Sequence, residues 1–167
     1  SRGLGDVYKR QLQTEDYSKS ISCVMKKGVR TREQEEELVT AFVVNMLLEA
    51  AGLDFSYPEM PETYDVDKVC AKEGWRELMR EEIQFISSHN EEPKLIFPGA
   101  FNPIHKAHLE MAALAKKQIE KEVFFEVCIQ NADKPPLSYH QIDSTLKQFT
   151  QSDKWVLTKT GKFSDKA

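Results

Sequence analysis

One apolar run constrains the fold more than any other feature of the chain. Val123-Phe124-Phe125-Glu126-Val127-Cys128-Ile129 is β-branched and aromatic almost throughout, which is the composition of a β-strand. Helical patterns lie on both sides of it. Upstream, Leu109, Met111, Ala112, Leu114 and Ala115 form an apolar helix that ends in Lys116, Lys117 and Lys121. Downstream, Ser138 with Gln141 is a capping box, and Leu137 and Ile142 are spaced as a hydrophobic staple. Ile142, Leu146 and Phe149 supply the buried side of that helix. Lys94-Leu95-Ile96-Phe97 and Trp155-Val156-Leu157 read as outer strands. From residue 94 the order is therefore β-α-β-α-β, the pattern of a parallel sheet with helices packed on it.

The preceding residues read as mainly helical. Ser20 to Met25 alternates as a short strand, and Gly28 breaks the pattern. Thr31 with Gln34 is a capping box, and Glu33, Glu35 and Glu36 suit the positive end of a helix dipole. Leu38, Phe42, Met46 and Leu47 make an apolar stripe widened by Val39 and Val43, and Gly52 stands where a C-terminal cap belongs. Pro58 and Pro61 mark a linker over 56–63. The spacing of Trp75, Leu78, Met79, Ile83 and Ile86 predicts a second helix over 66–87, weakened at Gly74. Ser88 to Pro93 is a polar loop in which His89 is solvated. The first eleven residues, without an initiator Met or a clear period, resemble a translated adapter and are set aside as a non-native extension. The expected divisions are 1–11, 12–55 (the strand and helix of a preceding domain), 56–92 (linker and helix) and 93–167.

Composition narrows the function classes. The net charge is −4 and no Lys/Arg block stands out, which argues against nucleic acid but not against a nucleotide, whose phosphates need only a few cations or N–H groups. No apolar run approaches the roughly 18–20 residues of a membrane span. Cys23, Cys70 and Cys128 lie far apart without a CxxC, as in a reduced, cytoplasmic chain. They make no four-ligand zinc set with the single close His pair.

The chemistry concentrates in Phe97-Pro98-Gly99-Ala100-Phe101-Asn102-Pro103-Ile104-His105-Lys106-Ala107-His108. It follows the first strand of the β-α-β-α-β unit, and in open parallel sheets ligands bind beyond the carboxyl ends of strands. Gly99 has no side chain to keep a ligand from the backbone, and Asn102 and Pro103 can turn the chain into a helix. His105 and His108, three residues apart, share one face of that helix. Two imidazoles at a positive helix N-terminus suit phosphate oxygens and the charge on a departing pyrophosphate. A single His is more often structural than catalytic, and HxxH alone is a weak signal. The weight comes from the whole string between a strand and a helix.

That string resembles GxFxPxHxGH, the signature of the nucleotidyltransferase superfamily, which includes nicotinate- and nicotinamide-mononucleotide adenylyltransferases, phosphopantetheine adenylyltransferase and cytidylyltransferases. The resemblance implies a Rossmann-like α/β fold, here incomplete, and nucleotidyl transfer from a nucleoside triphosphate such as ATP or CTP to a phosphorylated small molecule, with Mg²⁺ accompanying the triphosphate. It implies that His105 and His108 are catalytic, and that both contact the nucleotide with Gly99, Ala100, Phe101 and Asn102. Asn131 to Ser138 looks like the corresponding segment of the nicotinate-mononucleotide adenylyltransferase branch, which would make Lys134 an acceptor-binding residue in NAD biosynthesis. A solvated loop lysine is the competing reading.

Two departures stand out. Ala107 occupies the position of the glycine in the signature, and nothing after Ser138 matches the second family motif, ISSTxxR. The expectation is therefore a truncated nucleotidyltransferase domain that is itself inactive, with a catalytically silent nucleotide-binding or interaction module as the alternative. Ser20 to Leu53 more weakly resembles the last strand and helix of a competence-damage-inducible (nicotinamide-mononucleotide amidohydrolase-like) domain. The base, the acceptor and the oligomeric state are not legible.

Overall fold

The computed structural model describes residues 6–130 and 135–160. The chain divides into two compact units, Ser1–Cys70 and Ala71–Ala167.

In the first unit, β1 (Asp6–Gln13), β2 (Tyr17–Met25) and β3 (Tyr64–Cys70) form an antiparallel sheet in the order β1-β2-β3, with α1 (Arg32–Ala50) between β2 and β3 in the chain. The capping box at α1 is present: Gln34 N–H donates to Thr31 Oγ1 at 3.3 Å, and Thr31 N–H to Gln34 Oε1 at 2.9 Å. Gly52, at φ 70°, closes the other end, where Gly52 N–H donates to the Glu49 carbonyl and Leu53 N–H to that of Leu48, the pairing of a Schellman cap. Ile21, Phe42 and Met46 are buried together, with Leu12, Leu38, Tyr57, Met60 and Tyr64 packed around them. Leu47, expected in the stripe, points outward and is 53% exposed. The buried ridge runs 38–42–46 in steps of four, and 47 falls on its flank. Lys19 is buried on β2 because Glu49 pairs with it and the Tyr57 ring lies beneath its ammonium, 4.8 Å away.

The segment before the parallel sheet is thus not mainly helical. Residues 6–11, set aside in the sequence, belong to strand β1, held to β2 in continuous register from Asp6↔Met25 to Gln13↔Ser18. Residues 66–87 are not one helix. Val66 lies in β3, Trp75 and Leu78 in the short α2 (Glu73–Met79), and Ile86 in β4 (Phe85–Ser87). Pairing of β3 with β2 and of β4 with the sheet of the second unit overrides the helical spacing.

The second unit contains β4, β5 (Leu95–Pro98), α3 (Lys106–Ile119), β6 (Val123–Gln130), α4 (Tyr139–Leu146) and β7 (Lys154–Thr160) after α2. Its sheet has the order β4-β7-β6-β5. β5, β6 and β7 are parallel, and β4 runs antiparallel along β7. The β-α-β-α-β reading is therefore correct from residue 94, with an antiparallel edge strand added. β6 is the buried centre, and Phe124, Val127 and Ile129 are each 1% exposed. Trp75 of α2 stacks on Tyr139 of α4 with ring centroids 5.8 Å apart. Among the described residues β5 has one neighbour, β6, so the turn that follows β5 lies at a sheet edge.

Candidate functional site

The turn begins where β5 ends. Gly99 N–H donates to the Glu126 carbonyl of β6 at 3.2 Å, so this amide continues the sheet. The space beside Gly99 is also taken, because the Phe101 ring folds back over it. Phe101 is 2% exposed and meets Phe97, Phe125 and Phe149 edge-on, with centroids 5.4–5.9 Å apart. Its backbone is left-handed, φ 46°, a conformation that costs a non-glycine residue about 1–3 kcal/mol and persists where packing over-determines it. Here the aromatic cluster does so. Phe101 thus acts as a core side chain, and its backbone shapes the turn.

Ala100 and Asn102 are exposed, and the Asn102–Pro103 peptide is cis. Gln148, which directly follows the C-cap of α4, reaches across to this turn. Its Oε1 accepts from Ile104 N–H at 2.9 Å, and its Nε2 donates to the Phe101 carbonyl at 3.2 Å. Sequence reading did not identify Gln148, because a glutamine at the end of an amphipathic helix carries no local signal and its partners lie 44 and 47 residues away.

His105 is the N-cap of α3 and His108 lies in its first turn. The two rings stack with centroids 3.6 Å apart and planes 25° apart. His105 N–H donates to His108 Nδ1 at 3.2 Å, so that nitrogen is unprotonated and the neutral ring carries its proton on Nε2. His108 also meets Phe101 and Phe97 edge-on. Burial, and then the charge of His105, hold His108 below the ordinary imidazole range. His105 is exposed and His108 half-buried. The pair is thus assembled and open to solvent at the start of a 14-residue helix, where backbone N–H groups and the helix dipole favour an anion. Ala107, between them, is exposed. Lys134 lies outside the described residues, as do Asn131, Ala132 and Asp133.

A separate cleft of about 350 Å³, lined by Glu91, Glu92, Lys94, Lys121, Glu122 and Phe124, opens near the amino ends of β5 and β6. It contains neither histidine. Lys154 pairs with Glu91 at 2.8 Å and with Glu122 at 3.8 Å, and Lys116 pairs with Glu122 at 2.7 Å. This cleft and the histidine turn therefore lie in different places, with none of the cleft's lining residues belonging to the turn. Among the described residues no three His, Cys, Asp or Glu side chains are grouped to hold a metal ion, and no helix is long and apolar enough to cross a membrane.

Residues 96–164 match the family model described as cytidylyltransferase-like. The match opens within β5 and takes in the whole turn and both histidines. The resemblance of Ser20–Leu53 to a competence-damage-inducible domain lies outside it. No curated protein and no solved structure matches the chain.

Proposed function

We propose that the Gly99–His108 turn, inside the segment 96–164 that matches the cytidylyltransferase-like family model, handles a nucleoside triphosphate in nucleotidyl transfer to a phosphorylated small molecule. The observation that carries the reading is the stacked His105–His108 pair at the start of α3, inside the matched segment.

An acceptor oxygen attacks the α-phosphorus in line, the bond to the bridging oxygen breaks, and pyrophosphate leaves with the electron pair. The protein forms no covalent bond, so its contribution is positioning and charge stabilisation. The Nε2–H of neutral His108 donates to a phosphate oxygen. His105, stacked on it and solvent-facing, donates to a neighbouring one. Ala100 and Asn102 are exposed on the same turn and line the nucleotide's approach. Mg²⁺ would arrive with the triphosphate as part of the substrate, as is common for an ion that keeps most of its waters.

The finer assignment, an acceptor such as nicotinate or nicotinamide mononucleotide with Lys134 on the acceptor side, rests on the Asn131–Ser138 segment of the sequence alone. Cys23, Cys70 and Cys128 are all free thiols, which suits a reducing, cytoplasmic setting. A second reading, a nucleotide-binding module without turnover, is favoured by Ala107 at the position of the signature glycine.

The test is pyrophosphate release with Mg·ATP and with Mg·CTP, each with nicotinate and nicotinamide mononucleotide, alongside calorimetric binding of both triphosphates. Release with one triphosphate supports transfer. Binding without release supports the second reading, and neither binding nor release overturns both.

A further inference from the structure

We propose that Gln148 is the positioning residue of the phosphate turn, fixing where α3 begins and hence where His105 and His108 are presented. This role rests on the nucleotidyl-transfer reading above.

The argument starts from the turn's geometry. Phe101 holds a left-handed backbone and Ile104 lies three residues on, with the exposed Asn102 and Pro103 between them. The Phe101 ring anchors one end in the aromatic cluster. The other end, Ile104, immediately precedes the N-cap His105, so displacement of Ile104 moves the first turn of the helix and both rings. Gln148 holds both ends at once, accepting from Ile104 N–H and donating to the Phe101 carbonyl. A primary amide is suited to this, because it offers an acceptor and two donors in one plane. Glutamate would keep only the acceptor, and methionine neither group.

Gln148 is itself well placed to act as a brace. Its Nε2 also reaches the Ser144 carbonyl at 3.4 Å, one turn back in α4. The next residue, Phe149, stacks on Phe125 of the central strand with centroids 5.4 Å apart. The glutamine thus couples α4 and the sheet to the start of α3 from a point where its own backbone is held. It does not touch the histidines or, in the proposed reaction, the phosphates, so its effect passes through the turn.

The experiment compares Gln148→Met and Gln148→Glu with the unsubstituted 167-residue chain, with His105→Ala as a reference. The readouts are calorimetric binding of Mg·ATP and Mg·CTP, hydrogen exchange at the Ile104 amide, and the thermal midpoint. Gln148→Met is expected to weaken binding of the triphosphate at least about tenfold, or 1.4 kcal/mol, and to speed Ile104 exchange, with the midpoint moving by no more than about 3 °C. Gln148→Glu, which keeps the acceptor, is expected to retain Ile104 protection and recover part of the binding. If His105→Ala weakens binding but Gln148→Met does not, the positioning role is overturned and the nucleotide reading survives. If Gln148→Met lowers the midpoint while binding at low temperature is unchanged, the residue is structural and the proposal again fails. If the unsubstituted chain binds neither triphosphate, the nucleotide reading falls and takes the proposal with it.

Discussion

The Phe101 ring occupies the space that a side chain at Gly99 would need: a Cβ on Gly99 would lie 2.6 Å from two of its ring atoms. The ring cannot move aside, because Phe97, Phe125 and Phe149 surround it. Gly99→Ala is therefore expected to lower stability by about 1–3 kcal/mol through overpacking. Adding Phe101→Leu should recover part of that loss, which denaturant unfolding of the two single variants and the pair would measure as a coupling energy. Additive effects would show that the two positions do not contact each other.

His105→Ala and His108→Ala should each reduce pyrophosphate release at least about tenfold, a loss of about 1.4 kcal/mol of transition-state stabilisation. If the chain binds without turning over, the same variants should weaken triphosphate binding. Full activity in both variants, with folding unchanged, would make the stacked rings structural.

The His105 N–H bond to His108 Nδ1 requires that nitrogen to be unprotonated. Burial, and then His105, lower the His108 pKa in the folded chain. The unfolded chain therefore takes up the proton more readily, and stability should rise with pH from the lowered folded value to the ordinary value near about 6.5, then level off. Acidification through that window should destabilise the protein. His108→Gln should flatten this slope in unfolding midpoints measured between about pH 5 and 8. An unchanged slope in the variant would assign the titration elsewhere.

Glu62 behaves in the opposite sense. Arg30 holds it in a two-pronged pair, both contacts 2.8 Å, and Lys26 N–H adds a third bond. The Arg30 guanidinium brings its carboxyl down to about 2. The stabilisation is fully present above the unfolded carboxyl value of about 4.3 and is lost as pH falls from there toward the folded value. Glu62→Gln should remove that part of the acid unfolding limb, and Arg30→Met should do the same. A limb unaltered in both would show that the pair contributes nothing to folding.

What the chain encodes locally was legible without coordinates. Caps bond within a few residues, so Thr31–Gln34, Ser138–Gln141 and the Gly52 terminus could be read directly and occur as read. The alternation of strands and helices from residue 94, and the shared face of His105 and His108, follow from the same short-range rules. Tertiary structure decided what depends on distant partners. β1 is largely polar and exposed, and only its pairing with β2 makes it a strand. Residues 66–87 carry apolar spacing compatible with a helix, and sheet pairing divides them into β3, α2 and β4. Gly99 read as a residue with no side chain in a ligand's way, and only the fold shows that the Phe101 ring packs where its side chain would stand. Gln148 had no signature at all, since its hold on the turn exists only once α4 is packed beside it. Spacing along a chain reports which residues share a face, but what that face meets is set by contacts between residues far apart in sequence.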